Sequence, residues 1–189
     1  MEKDVLRQQA IKRLIELAKS ETRQIQVNQI YDHFFESSIW KSAETIGVTK
    51  ATKIEFPTEI LIQKAFAAGK KIAVPKSLPK GKMVFHWVDP ATDYQTTKFG
   101  VEEPEVEAVA LPETIDLLIV PGLCFNHKKY RIGFGGGYYD RYLENYQGHT
   151  VSFVFKEQIF ENWQPEKFDQ AIDQLILAKK LKEGQHEKK

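Results

Sequence analysis

Asp116-Leu117-Leu118-Ile119-Val120-Pro121 is an almost wholly apolar run closed by a proline. A strand with one wet face alternates apolar and polar residues. An uninterrupted apolar run instead suits a strand covered on both faces, as in the parallel sheets of α/β proteins. Outward from this run the β signal recurs at Thr45-Ile46-Gly47-Val48, Lys71-Ile72-Ala73-Val74-Pro75, Met83 to Val88, Thr150 to Phe155 and Gln174 to Ala178. Helical spacing fills the intervals. Val5, Leu6, Ala10, Ile11, Leu14, Ile15, Leu17 and Ala18 are expected to face a core from one helix. Ser20 is placed to cap a second, carrying Ile25, Ile30, Phe34 and Phe35 on one side. Thr58 to Ala68 reads as a helix stopped by Gly69, and residues 137–146 as another. Strands alternating with helices predict an α/β three-layer sandwich around a mostly parallel, Rossmann-like sheet.

With 189 residues, no internal repeat and no low-complexity linker, residues 1–189 are expected to form one domain. The last eleven residues, from Lys179 to Lys189, hold five lysines and read as a frayed, solvated tail. Lys+Arg 27 against Asp+Glu 26 leaves a net charge of +1, too little for a global field that attracts nucleic acid or an acidic membrane. An anionic ligand must therefore be held by a local site. Cys124 is the sole cysteine, which excludes an intrachain disulfide and points to a reducing compartment. No apolar run reaches the roughly 18 residues of a membrane helix, and Met1-Glu2-Lys3-Asp4 enters a charged helix directly. A soluble, cytoplasmic chain is expected.

The segment Pro121 to Arg141 stands apart. It leaves the end of the apolar strand, where open α/β sheets bind ligands, and enters a helix. Gly133, Gly135, Gly136 and Gly137 place four glycines in five positions. Such a loop brings backbone close to a ligand and turns several N–H groups toward one spot, an arrangement that suits phosphate. Bare glycine richness is equally compatible with a tight turn. There is no Gly-Lys-Ser/Thr, so this is no Walker A loop, and Tyr138 stands where a dinucleotide fingerprint would have its last glycine. The string Arg131-Ile132-Gly133-Phe134-Gly135-Gly136-Gly137-Tyr138-Tyr139-Asp140-Arg141 is far more specific than its glycines alone.

At this string the sequence resembles the 5-formyltetrahydrofolate cyclo-ligase family, also called methenyltetrahydrofolate synthetases. Lys3 and Arg7, Ile54-Glu55 before a helix, Pro121-Gly122 and a closing acidic segment extend the resemblance along most of the chain. The chain departs from the family at Asn126, where Asp is usual, and at Lys128 to Tyr130, where a glycine turn is usual. The resemblance implies an enzyme in which ATP phosphorylates the formyl oxygen of 5-formyltetrahydrofolate. The neighbouring folate nitrogen then attacks the activated carbon and phosphate leaves, giving 5,10-methenyltetrahydrofolate, ADP and phosphate. Magnesium is the implied cofactor. Small molecules are the implied partners, with neither nucleic acid nor membrane, and the chain is taken as a monomer.

The resemblance also distributes roles. ATP would be bound by Lys3, Arg7, Arg131, Ile132, Gly133, Phe134, Gly135, Gly136, Gly137, Tyr138 and Tyr139, with Arg131 and Tyr138 catalytic. The folate would meet Lys50, Glu55, Phe134, Gly135, Gly136, Gly137 and Tyr138, with Phe99 near the pterin. Asp140 and Asp169 would hold magnesium, with Asp173 as the alternative second ligand. The residues alone leave plainer readings open. Arg131 could be a surface arginine, Lys3 and Arg7 a solvated helix face, Asp140 a helix cap, Tyr139 core packing and Glu55 a surface acid. Cys124 near His127 could suggest a nucleophile, but a lone cysteine after an apolar strand reads as a small buried hydrophobe. The rival function is a non-enzymatic domain that senses a phosphorylated metabolite through the same loop, and a phosphosugar isomerase is a rival enzyme. The paired late carboxylates favour the ATP and magnesium enzyme over both.

Overall fold

The computed structural model describes residues 2–179, so residues 180–189 of the expected tail lie outside the described residues. The helices are α1 (Lys3–Ala18), α2 (Glu21–Glu36), α3 (Ser38–Ser42), α4 (Glu59–Ala67) and α5 (Tyr138–Leu143). The strands are β1 (Thr45–Gly47), β2 (Lys71–Leu78), β3 (Lys82–Val88), β4 (Tyr94–Thr96), β5 (Glu102–Pro104), β6 (Val109–Ala110), β7 (Leu117–Ile119), β8 (Cys124–Phe125), β9 (Arg131–Ile132), β10 (His149–Val154) and β11 (Gln174–Leu177). Seven of them form one sheet in the order β11-β10-β7-β1-β2-β3-β6. Its pairs are parallel from β11 to β2, and β3 and β6 extend it antiparallel. The mostly parallel α/β sandwich is what the apolar runs predicted.

The central strand β7 shows why. Leu117 and Ile119 join the apolar cluster beneath α1, α2 and α4, whereas Leu118 and Val120 join the cluster beneath α5. Successive side chains point to opposite faces, so a strand covered on both sides needs every residue apolar. Each fully buried leucine contributes roughly 1.5–3 kcal/mol by leaving water.

Helix faces are narrower than the sequence suggested. Leu6, Ala10, Leu14 and Leu17 make the inner stripe of α1, whereas Val5 and Ile15 are exposed. In α2 the inner positions belong to Val27, Ile30, Tyr31 and Phe34, and Ile25 is exposed. A helix lying on a sheet buries one stripe, so neighbours one residue along rotate away from it. Ser20 does cap α2, its hydroxyl accepting from the Thr22 N–H at 3.2 Å. The helix expected over 137–146 ends at Leu143, because three-residue bonds from Asn145 to Tyr142 and Tyr146 to Leu143 tighten its last turn.

Two hairpins stand at the carboxyl end of the parallel strands. β2 and β3 turn through Pro79–Gly81, with Lys80 and Gly81 both left-handed (φ +62° and +69°). β8 and β9 turn through residues 126–130, where the sequence departs from the family it resembles. There the buried Asn126 accepts the Tyr130 N–H through its side chain at 3.1 Å, and Lys129 takes a left-handed φ of +68°. A non-glycine residue in that region costs about 1–2 kcal/mol. Lys129 offsets this with two anchors, its carbonyl accepting from Ile172 N–H and its ammonium donating to the Asp173 carbonyl.

Candidate active site

From β7 the chain runs through Pro121 and Gly122 into the β8–β9 hairpin, then emerges as Gly133 to Gly137 before α5. Gly135 sits at φ +110°, and Gly137, at φ +68°, precedes the first residue of α5. Among the described residues, none of the N–H groups of Gly133, Phe134, Gly135, Gly136 or Gly137 donates to another backbone group. Five donors in one short, exposed loop are thus free for an incoming acceptor. Ile132 departs from expectation: its side chain is in the core and its carbonyl accepts from Leu123 N–H, so it anchors the base of the loop.

Cations gather around this loop from distant parts of the chain. Arg131 is only 4% exposed, which excludes the surface reading. Its Nη2 lies 3.5 Å from Asp140, its guanidinium sits 5.4 Å from the Tyr139 ring centroid, and its buried Nε has no protein partner. Burial pulls its pKa down, opposed chiefly by Asp140. Arg7 donates from Nε to the Gly133 carbonyl at 2.8 Å and pairs with Asp4. Lys3 donates to both oxygens of Asp169, at 2.9 and 2.8 Å, with Glu166 at 3.1 Å. Burial lowers the Lys3 pKa, but hydrogen bonds to Asp169 and Glu166 outweigh it and leave a net rise.

The two expected metal ligands each sit beside one of these cations, Asp140 against Arg131 and Asp169 against Lys3. Asp140 Oδ1 accepts the Gln170 N–H at 3.3 Å, and no helix N–H, so it is not a hydrogen-bonding cap. Asp169 is held by Lys3 and by the Glu166 N–H. Asp173, the alternative ligand, is committed elsewhere: it accepts the Thr150 N–H at 2.9 Å beside the first residues of β10. Among the described residues no cluster of three or more His, Cys, Asp or Glu could hold a metal alone.

The sequence model of the 5-formyltetrahydrofolate cyclo-ligase family matches residues 1–178. The chain belongs to this family. A probable 5-formyltetrahydrofolate cyclo-ligase of Schizosaccharomyces pombe is 31% identical over 160 residues, covering 75% of this chain and 78% of the relative. The Escherichia coli K12 5-formyltetrahydrofolate cyclo-ligase is 28% identical over 146 residues, or 74% and 80% of the two chains. The solved Aquifex aeolicus 5,10-methenyltetrahydrofolate synthetase superposes with a TM-score of 0.80 at 25% identity, covering all of both chains. Membership makes this chain an enzyme of the cyclo-ligase type and accords with the α/β sandwich around the glycine loop.

Of the residues that the cyclo-ligase resemblance assigned to folate, Phe134 to Tyr138 belong to the glycine loop and the start of α5, whereas Lys50 and Glu55 lie on other loops. Glu55 is half-buried in a turn before α4, where its Oε2 accepts the N–H and hydroxyl of Thr52, each at 2.7 Å. With Thr49, Phe56, Pro121, Gly122 and Gln158 it lines a narrow cleft next to the end of β7. The Tyr139 hydroxyl is buried, under the charge influence of both Arg131 and Glu55, and has no hydrogen-bond partner among the described residues. Its pKa is raised first by burial, with Arg131 opposing and Glu55 reinforcing. Tyr138 is half-buried with its ring against Gly136, and Phe134 is exposed beside it in the loop. Lys50 leans away, 4.1 Å over the Tyr94 ring and 3.6 Å from Glu102. Phe99 is 79% exposed in the turn between β4 and β5.

Cys124 is fully buried, its thiol donating to the Leu6 carbonyl, and burial pushes its pKa up to about 12. His127 instead pairs with Glu161 on the surface. A thiol so disfavoured as thiolate is no nucleophile at neutral pH. Cys124→Ala is expected to keep most activity and to lose about 1 kcal/mol of stability from packing. Steady-state rates and thermal unfolding check this, and inactivation of a folded variant would restore the nucleophile.

A cavity of about 580 Å³ lies at the opposite end of the sheet, lined by residues such as Glu44, Glu113, Asp116 and His149. Its acidic lining suits no phosphate, and Asp116 is occupied by the N–H groups of Glu44 and Thr45. Chemistry, not cavity size, makes the glycine loop the candidate site. Sequence reasoning gave Arg141 no role, although its guanidinium donates to the Gly136 carbonyl at 2.7 Å. Its place in the motif was the available signal.

Proposed function

We propose that this chain converts 5-formyltetrahydrofolate to 5,10-methenyltetrahydrofolate, using ATP and magnesium and releasing ADP and phosphate. The supporting observation is the loop from Gly133 to Gly137, with five uncommitted N–H donors flanked by Arg131 and Arg7. Phosphoryl transfer requires positioning and charge neutralisation more than covalent help from the protein. The loop N–H groups hold the phosphates, and the buried Arg131, already desolvated, meets charge that develops on the transferred group. Lys3 and Arg7 bring further positive charge from α1. The formyl oxygen attacks the terminal phosphorus and ADP departs; the adjacent nitrogen then attacks the activated carbon and expels phosphate. Tyr138 orients the two substrates at their junction.

The carboxylates fit magnesium. Asp140 and Asp169 are hard oxygen donors on either side of the phosphate-facing cations, and magnesium binds one or two carboxylates together with substrate phosphates. When bound, the ion neutralises phosphate oxygens. Lys3, which holds Asp169 in the structure, would then face the nucleotide. The lone buried thiol also supports a reducing compartment such as the cytoplasm, and no described helix is long and apolar enough to cross a membrane.

The deciding assay mixes protein, ATP, magnesium and 5-formyltetrahydrofolate and follows near-ultraviolet absorbance of the conjugated methenyl product. Growth of that band only when all components are present is expected. ATP binding without any band would instead identify a phosphate-sensing domain.

Glu55 gives a test of the folate half. Glu55→Gln is expected to raise the folate KM about ten- to a hundredfold, as befits one charge-assisted hydrogen bond, while the ATP KM stays unchanged. Kinetics with each substrate varied separately check this. An effect confined to ATP would remove Glu55 from the folate site.

A further inference from the structure

We propose that Arg141 is a positioning residue that sets the phosphate-binding shape of the glycine loop and ties it to the β2–β3 hairpin. This inference rests on the assignment of the loop to ATP. Arg141 Nη1 donates to the Gly136 carbonyl at 2.7 Å and reaches the Gly81 carbonyl at 3.4 Å. Among the described residues no carboxylate lies within ion-pair distance of Arg141. Its guanidinium therefore serves two backbone carbonyls, one in each loop.

The consequence follows from peptide geometry. In a trans peptide the C=O and the next N–H point in opposite directions. Holding the Gly136 carbonyl toward Arg141 therefore turns the Gly137 N–H to the other side of the loop. Arg7 does the same at the other end, where its bond to the Gly133 carbonyl turns the Phe134 N–H away from α1. Arg7 from α1 and Arg141 from α5 thus fix the second and last peptides of the donor array. Glycines carry free peptides that flip readily, so an unanchored loop would lose time in non-binding conformations.

Small residues make room for this clamp. A Cβ on Gly81 would collide with Arg141 Nη1, and one on Gly137 would lie 2.9 Å from the same atom. Gly81 is thus coupled to the nucleotide site although it belongs to a hairpin turn more than fifty residues away in sequence.

The test is a double-mutant cycle with ATP affinity measured by calorimetry and folate KM by kinetics. Arg141→Met is expected to weaken ATP about tenfold, consistent with losing one charged hydrogen bond, with a smaller rise in folate KM. Gly81→Ala should weaken ATP similarly by displacing the guanidinium, and the double variant should be no weaker than either alone. Thermal unfolding, read on all three, separates this from general loss of structure. Wild type that fails to bind ATP would overturn the loop assignment together with this inference. Wild type that binds, with Arg141→Met within twofold of it or with fully additive effects, would overturn this inference alone.

Discussion

Gly135→Val is expected to reduce ATP affinity at least a hundredfold while the protein stays folded. Gly135 occupies φ +110°, a conformation a β-branched residue rarely adopts. Forcing valine there costs about 1–3 kcal/mol, and an exposed loop relieves such strain by moving. Movement misaligns the N–H groups on either side. The new side chain also projects toward Arg7, whose Cζ lies 3.7 Å from the position a Cβ would take. No core residue is touched, so the unfolding temperature should change by a few degrees at most. Calorimetric titration of the folded variant decides the matter, and an affinity within a few-fold of wild type would refute the phosphate role of the loop.

Asp140→Asn should lower kcat at least a hundredfold at limiting magnesium, with only partial rescue by excess metal. The carboxylate, which would be a magnesium ligand, lies 3.5 Å from Nη2 of the buried Arg131. Neutralising it removes a hard oxygen ligand. It also removes the leading influence that opposes desolvation of Arg131. Breaking a fully buried pair costs about 3–5 kcal/mol; here Asp140 is part-exposed and Asn still accepts a hydrogen bond, so a loss of about 1–2 kcal/mol is expected. The two roles have separate readouts. Reduced thermal stability with normal rates at low magnesium would make Asp140 a counter-ion to Arg131 alone. The proposed metal site would then pass to Asp169 and to Asp173, one oxygen of which accepts the Thr150 N–H.

Much of the site was legible because its central string is contiguous. Arg131 to Arg141 carries the glycines, the guanidinium and one carboxylate within eleven positions, and the family match follows from it. Burial was less legible. A sequence shows that Arg131 is charged, not that it is 4% exposed, because burial depends on what packs over it. The charge pattern likewise hid the partnership of Lys3 with Asp169, residues separated by 166 positions. The structure brings the two side chains together, and the sequence was silent on the ion pair between them.

By itself the sequence determined the layers, the strand at the centre and the loop that follows it. Those features rest on local regularities: side-chain alternation in Leu117 to Ile119, the helical stripe from Leu6 to Leu17 and the φ freedom of Gly135. Only the tertiary structure decided the strand order, the exposure of Val5 and Ile15, and the gathering of Lys3, Arg7, Arg131, Asp140 and Asp169 around one loop. It also decided that Arg141 clasps Gly136 and approaches Gly81, and that Asp173 accepts the Thr150 N–H beside β10. Contacts between elements far apart in sequence leave no periodic trace in it. They arise when apolar faces, each locally encoded, find the one packing that buries them all.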